Sequence, residues 1–191
     1  HLIPAALEAV STACAVSRAV QANLAQICEV TKDDRSPVTV ADFAVQAIVS
    51  LSLADLLDSS DCLIVGEEDA AVLRTEEQAI VRKAVLEAVQ SWRPHVTEAE
   101  MLDAIDVCNH DGSSNGFWAL DPIDGTKGFL RGQHYAIALG RIEDGEVVAG
   151  VMGCPNLSTD QSFPLDQADS QGVVYAASKG AGAWEFADCN P

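Results

Sequence analysis

The order of patterns along the chain predicts an α+β fold, a layered domain in which helices cover a mostly antiparallel sheet. Three observations carry this. Apolar residues recur at helical spacing through most of the first half, runs of strand length gather in the second half, and Asp144-Gly145 stands between two such runs as a hairpin turn. No internal repeat competes with the reading.

The elements follow in order. An alanine-rich helix is expected over residues 4–29, with Leu7, Val10, Ala13, Val20, Leu24 and Ile27 among its apolar positions. Residues 31–38 are polar, and Lys32-Asp33-Asp34-Arg35 is expected to be mobile. A second helix is expected over 40–57, because Thr39 stands three residues before Asp42 and ahead of Phe43, Val45, Ile48, Val49 and Leu53. A strand over 62–65 comes next. Thr75 with Gln78, and Thr97 with Glu100, have the spacing of capping boxes and would open helices over 76–92 and 98–108. Residues 109–116 are rich in turn formers and lead into a strand over 117–123. Residues 135–139 and 147–151 would pair across Asp144-Gly145. Residues 155–171 read as a linker or surface loop, and strands over 173–177 and 183–186 close the chain.

Composition narrows the function classes. At 191 residues, 48% hydrophobic and 21% charged, the chain can bury a core of its own. Its net charge of −18, from 11 basic and 29 acidic residues, opposes binding to nucleic-acid backbones or anionic membranes. No run of 18 apolar residues occurs, so no membrane span is expected. Residues 2–7 lack a basic flank, which argues against a signal peptide. The cysteines, Cys14, Cys28, Cys62, Cys108, Cys154 and Cys189, show no zinc or C-x-x-C spacing. They read as mostly buried thiols of a reducing compartment, intracellular and either cytoplasmic or organellar. Cys108 and Cys154 flank the segment 121–132 and are the pair to watch for redox sensitivity. His1, His95, His110 and His134 do not cluster, which disfavours a histidine metal site.

Residues 121–132, D-P-I-D-G-T-K-G-F-L-R-G, constrain the chemistry most tightly. Pro122 fixes its own φ and restricts Asp121 before it, so Asp121 and Asp124 are presented rigidly. With the Ile123 carbonyl between them they form a plausible clamp for Mg²⁺, which prefers hard oxygen ligands. A helix starting after Asp124 would point the N–H groups of Gly125 and Thr126 at an anion such as phosphate. The same string is also ordinary turn chemistry. Glu67, Glu68 and Asp69 follow the apolar run 62–65, either as oxygen ligands at a strand end or as a solvated acidic loop. Asp42 reads locally as a first-turn acid favoured by the helix dipole.

Together, K-x-D-x-S-P-V-T-x-A-D over 32–42, V-G-E-E-D over 65–69 and the 121–132 motif occur in a known order. The chain resembles the 3′(2′),5′-bisphosphate nucleotidases of the lithium-sensitive, magnesium-dependent phosphatase superfamily, which includes inositol monophosphatase. The likeness runs from the first helix to about residue 156. T-K-G-F-L-R-G followed by Gln133-His134-Tyr135-Ala136 resembles the nucleotidase branch. The resemblance implies the sugar-phosphatase type of layered sandwich, helices on a mostly antiparallel sheet. It implies two or three Mg²⁺ ions held by Glu67, Asp121, Asp124 and the Ile123 main-chain oxygen. Asp42 and Thr126 match the residues that orient and deprotonate the attacking water, and Gly125 and Thr126 sit where the family holds the scissile phosphate. The implied substrate is a small phosphorylated molecule, 3′-phosphoadenosine 5′-phosphate, hydrolysed to AMP by direct attack of water with lithium and calcium as inhibitors. The alternatives are an inositol phosphate as substrate, or a non-catalytic metal- or nucleotide-binding module.

One departure stands out. The family carries a further aspartate in a W-D motif of its second half, and neither Trp118 nor Trp184 is followed by Asp. The expected division is a metal-binding unit over 1–156, then a linker and first strands over 157–191 leading to a domain absent here. The chain is expected to be a piece of a longer enzyme or a truncated relative.

Overall fold

The alanine-rich start forms α1 (Leu2–Ala22), whose small side chains Ala6, Ala9 and Ala13 are fully buried. The structure, a computed structural model, describes residues 2–31, 36–160 and 162–187. The stretch 32–35 expected to be mobile lies outside these residues, as do His1 and Cys189. The first helix does not run unbroken to residue 29. At Asn23 the main-chain N–H bonds Val20 O at 3.0 Å and the side-chain amide donates to Ala19 O at 2.8 Å. Carbonyls that would extend the ladder are taken locally, and α2 (Leu24–Thr31) starts afresh.

The central helix, α3 (Ser36–Leu56), begins earlier than the spacing predicted. Thr39 therefore lies inside the helix rather than capping it. With Val40, Ala41, Phe43, Ala44, Val45, Ile48 and Val49 all buried, α3 is enclosed on every side. Two helices, Leu2–Ala22 and Val38–Leu56, do reach the length and hydropathy of a membrane span, contrary to expectation. Their burial against each other and the sheet accounts for that apolar character.

The remaining elements are β1 (Ile64–Val65), α4 (Ala79–Trp92), α5 (Glu98–Asp106), β2 (Gly116–Asp124), α6 (Thr126–Leu130), β3 (Ala136–Glu143), β4 (Glu146–Cys154), β5 (Val173–Ser178) and β6 (Gly182–Ala187). The expected capping box at Thr97 forms: the Glu100 N–H donates to Thr97 Oγ1 at 3.2 Å and the Thr97 N–H to Glu100 Oε2 at 2.8 Å. The one expected at Thr75 does not. Its hydroxyl donates to Val72 O at 3.1 Å, and Glu76–Gln78 is a 3₁₀ turn before α4.

The six strands form one sheet in chain order, with β1 parallel to β2 and every other pair antiparallel. β5 and β6 continue this sheet past residue 156. The hairpin turns at Asp144 and Gly145, both with positive φ (50° and 80°), as two-residue turns require. Trp118, Leu120, Ile137, Leu139, Val151, Val174 and Ala176 are buried in the core beneath the helices. The opposite face carries Ala119, Ala138, Gly140, Met152 and Tyr175 and forms an open groove of about 800 Å³.

The D-P-I-D segment is not a turn. It lies within β2, where Asp121 pairs with Ala138 and Asp124 with Ala136. Three steps on β2 thus match two on β3, a β-bulge at Pro122 and Ile123. A bulge is where a proline's missing N–H costs the ladder nothing, and the extra residue re-aims the side chains beyond it.

Candidate active site

Parallel pairing of Ile64 with Trp118 and of Val65 with Ala119 sets the site. Gly66 and Glu67 leave β1 beside the part of β2 that reaches Asp121, so two chain segments carry carboxylates out together. From below, α3 contributes Asp42. Since α3 begins at Ser36, Asp42 lies in its second turn, beyond the reach of the helix-end dipole, so the first-turn account of this residue fails.

Asp42 has its pKa pushed up to about 8, first by burial and then by the charges of Glu68, Glu67 and Asp121. Asp121 is raised by burial, Glu67 and Asp124, against a hydrogen bond from the Ile123 N–H that favours its ionised form. Burial and Glu67 raise Glu68. The through-space charges acting on Asp42 are thus all carboxylates. The structure brings Asp42, Glu67 and Asp121 into mutual influence, with Asp124 acting on Asp121 from beyond the bulge. Among the described residues, no three Asp, Glu, His or Cys side chains are drawn close enough to grip an ion as they stand.

The donor chemistry nonetheless suits a hard cation. Every candidate ligand is an oxygen, and the carboxylate charges of Glu68, Glu67 and Asp121 add to the burial that pushes Asp42 up to about 8. Glu67 and Asp124 are exposed, while Asp42 and Asp121 are half-buried. The Ile123 side chain is buried, and its main chain spans the two aspartates.

Past Asp124 the chain turns through Gly125, whose left-handed φ of 95° caps α6. Gly125 and Thr126 are exposed at the start of this helix. α6 is held from behind. The Gln21 side-chain amide donates to Phe129 O at 3.0 Å and to Gln133 O at 3.2 Å, and that of Asn156 donates to Gln21 Oε1 at 2.8 Å and Gln133 O at 2.7 Å. Phe129 also meets Tyr135 edge-on, with centroids 4.9 Å apart. A Cβ on Gly128 would sit 2.0 Å from His134 O, so glycine is required for this approach.

The resemblance gives a role to Glu67 and none to Glu68, which is the largest charge influence on Asp42. Its signal was present in the triple 67–69, where adjacent residues cannot be ranked without knowing how the loop folds back.

Known proteins are similar to this chain in sequence and in fold. A sequence model described as the inositol monophosphatase family matches residues 1–189. The chain belongs to the inositol monophosphatase family. The 3′(2′),5′-bisphosphate nucleotidase of Schizosaccharomyces pombe is 43% identical over 167 residues, covering 82% of this chain and 46% of that protein. 3′(2′),5′-Bisphosphate nucleotidase 1 of Arabidopsis thaliana is 38% identical over 195 residues, covering 95% of this chain and 55% of that one. The chain thus spans about half the length of these relatives. Among solved structures, CysQ from Bacteroides thetaiotaomicron, a bacterial member of the family, superposes with a TM-score of 0.51 at 18% identity. That match covers 99% of this chain and 50% of CysQ, and it confirms the α+β fold.

Proposed function

We propose that the protein is a Mg²⁺-dependent phosphomonoesterase that converts 3′-phosphoadenosine 5′-phosphate and water to AMP and inorganic phosphate. The observation carrying this is the convergence of Asp42, Glu67, Glu68 and Asp121 into one carboxylate cluster beside the Gly125-Thr126 turn. The names of the nucleotidase relatives support the substrate. Glu67, Asp121, Asp124 and the Ile123 carbonyl oxygen would hold two or three Mg²⁺ ions. When bound, Mg²⁺ supplies Lewis-acid charge that stabilises the phosphoryl oxygens and makes hydroxide available near neutral pH.

The chain's own groups do the rest. Asp42 and the Thr126 hydroxyl orient the attacking water, and Asp42 accepts its proton. A carboxyl with a pKa of about 8 is mostly protonated at pH 7 and cannot serve as a base. Positive charge in the cluster lowers that pKa, so cation binding and base strength are coupled. Main-chain N–H groups at Gly125 and Thr126 point at the scissile phosphate. The same cation charge reconciles an anionic substrate with a chain of net charge −18.

The test is phosphate release in millimolar Mg²⁺ from the nucleotide, its phosphosulfate analogue and inositol 1-phosphate. It should be run on this chain and on the same chain extended by the second half of the Schizosaccharomyces pombe relative. Mg²⁺-dependent release from the nucleotide, abolished by Asp121→Asn and inhibited by lithium, is expected of the extended chain. Release from the inositol phosphate alone would overturn the substrate, and undiminished release by Asp121→Asn would overturn the metal assignment.

A further inference from the structure

We infer that Gln46 is a positioning residue for the metal site, its buried carboxamide locking the main chain of the Glu67-Glu68 loop to the helix that carries Asp42. This rests on reading Glu67 as a metal ligand. Gln46 is fully buried in a helix whose neighbouring positions Phe43, Val45, Ile48 and Val49 are apolar core. An unpaired carboxamide would be costly there. Gln46 leaves none of its roles empty: Oε1 accepts the Glu68 N–H at 3.0 Å, while Nε2 donates to Glu68 O at 2.7 Å and to Ile105 O at 3.0 Å.

A side chain that takes both the N–H and the C=O of one residue does what a neighbouring β-strand would do. The acidic loop needs such a partner because β1 ends at Val65, two residues before Glu67. The third bond ties the same amide to the end of α5, so three segments meet at one group. Asp42 and Gln46 are four residues apart on α3 and therefore share a face. Asp42 meets the loop through charge, and Gln46 meets it through hydrogen bonds one turn on. The two together fix how far the loop's carboxylates stand from Asp42.

Gly66 shows how closely the amide approaches. A Cβ at that position would lie 2.5 Å from Gln46 Oε1 and 2.8 Å from the Cys108 Cβ. The Gly66 N–H bonds Cys108 O at 2.7 Å, so the loop is pinned on either side of its first carboxylate. Only glycine lets the main chain lie against the carboxamide there. An isosteric apolar side chain at 46 would keep the packing but strand the Glu68 N–H and the Glu68 carbonyl, whereas the Ile105 carbonyl would keep the Cys108 N–H at 3.1 Å.

The experiment is a Mn²⁺ titration, read by electron paramagnetic resonance, of the chain and of Gln46→Met, Glu67→Gln and Ile48→Ala. Gln46→Met should raise the metal Kd by about 10- to 100-fold, the usual effect of removing a group that orients a ligand. Ile48→Ala, a core cavity in the same helix, should lower Tm while leaving the Kd at the wild-type value. Unchanged affinity in Gln46→Met beside weakened Glu67→Gln overturns the inference and leaves the metal reading standing. Equal weakening by Ile48→Ala overturns it as well, since loss of core stability alone would then suffice. Unchanged affinity in Glu67→Gln overturns the metal reading and this inference with it. Should Gln46→Met not fold, amide exchange in the wild-type chain decides. The clamp predicts slow exchange at the Glu68 N–H, and exchange at the rate of an exposed loop overturns it.

Discussion

Asp42 is the residue on which pH should act most visibly. Its carboxyl holds a proton up to about pH 8 in the folded protein against a usual value of 3.8, chiefly through burial. Between those values the folded state binds more protons than the unfolded chain, so stability is highest at low pH and is lost as pH rises towards 8. Asp121 and Glu68, also raised, act with the same sign. Without metal, Tm in a chelator should therefore fall from pH 5 to pH 8, by the equivalent of a few kcal/mol at about 1.4 kcal/mol per unit. Asp42→Asn should flatten that fall, and Mg²⁺ should raise Tm more at pH 8 than at pH 5. A Tm that climbs with pH in chelator would refute the carboxylate cluster. Kinetics test the other role of this residue. In an actively hydrolysing form of the protein, Asp42→Asn and Thr126→Ala should each lower kcat by about 10²-fold or more with little change in KM. A rise in KM alone would reassign that residue to substrate binding.

Elements explain how much of this is legible in the sequence. The hairpin was legible because Asp144-Gly145 is a local signal, and the Thr97 capping box because both partners lie within one turn. The order of helices and strands and the three acidic motifs were legible for the same reason. The strand over 117–123 was legible from its apolar run and already holds Asp121, Pro122 and Ile123, but its bulge was not, because that arises only from the tertiary pairing of β2 with β3. The start of α3 was misplaced because the local Thr39–Asp42 spacing imitates a cap. Least legible were the supports behind the site, Gln21, Gln46 and Asn156. Each is a buried amide whose partners lie 22 or more residues away or on another element. Gly128→Ala would set a Cβ 2.0 Å from the fixed carbonyl of His134, forcing α6 off its seat. We expect a loss of about 1–3 kcal/mol or more in urea unfolding, as for overpacked sites. Wild-type stability in this variant would show that α6 is not seated against His134.

Across the whole molecule, the two faces of the sheet differ. One lies beneath the helices, and the other presents Ala119, Ala138, Gly140, Met152 and Tyr175 as an open groove that reaches Glu67 and Asp121 at its edge. Val147 is 67% exposed and Met152 42%, unusual for apolar side chains on a strand of the main sheet. The chain covers 46% of the Schizosaccharomyces pombe relative, and the resemblance assigns to the uncovered half an aspartate that completes the site together with the groups for base and ribose. Binding and turnover should therefore separate. The residues proposed to hold Mg²⁺ all lie within this chain, Asp121, Ile123 and Asp124 on the paired strand β2 and Glu67 in the loop after β1, so the chain alone should bind the ion and gain thermal stability from it. Turnover needs in addition a stabilised leaving oxygen and an oriented nucleotide, neither of which Gly125 and Thr126 can supply. We expect phosphate release by the chain alone to fall far below that of the chain extended with the relative's second half, at equal and saturating Mg²⁺. Comparable turnover by the two would show that these 191 residues hold a complete site, with an acid such as Glu68 standing where the distant aspartate was required.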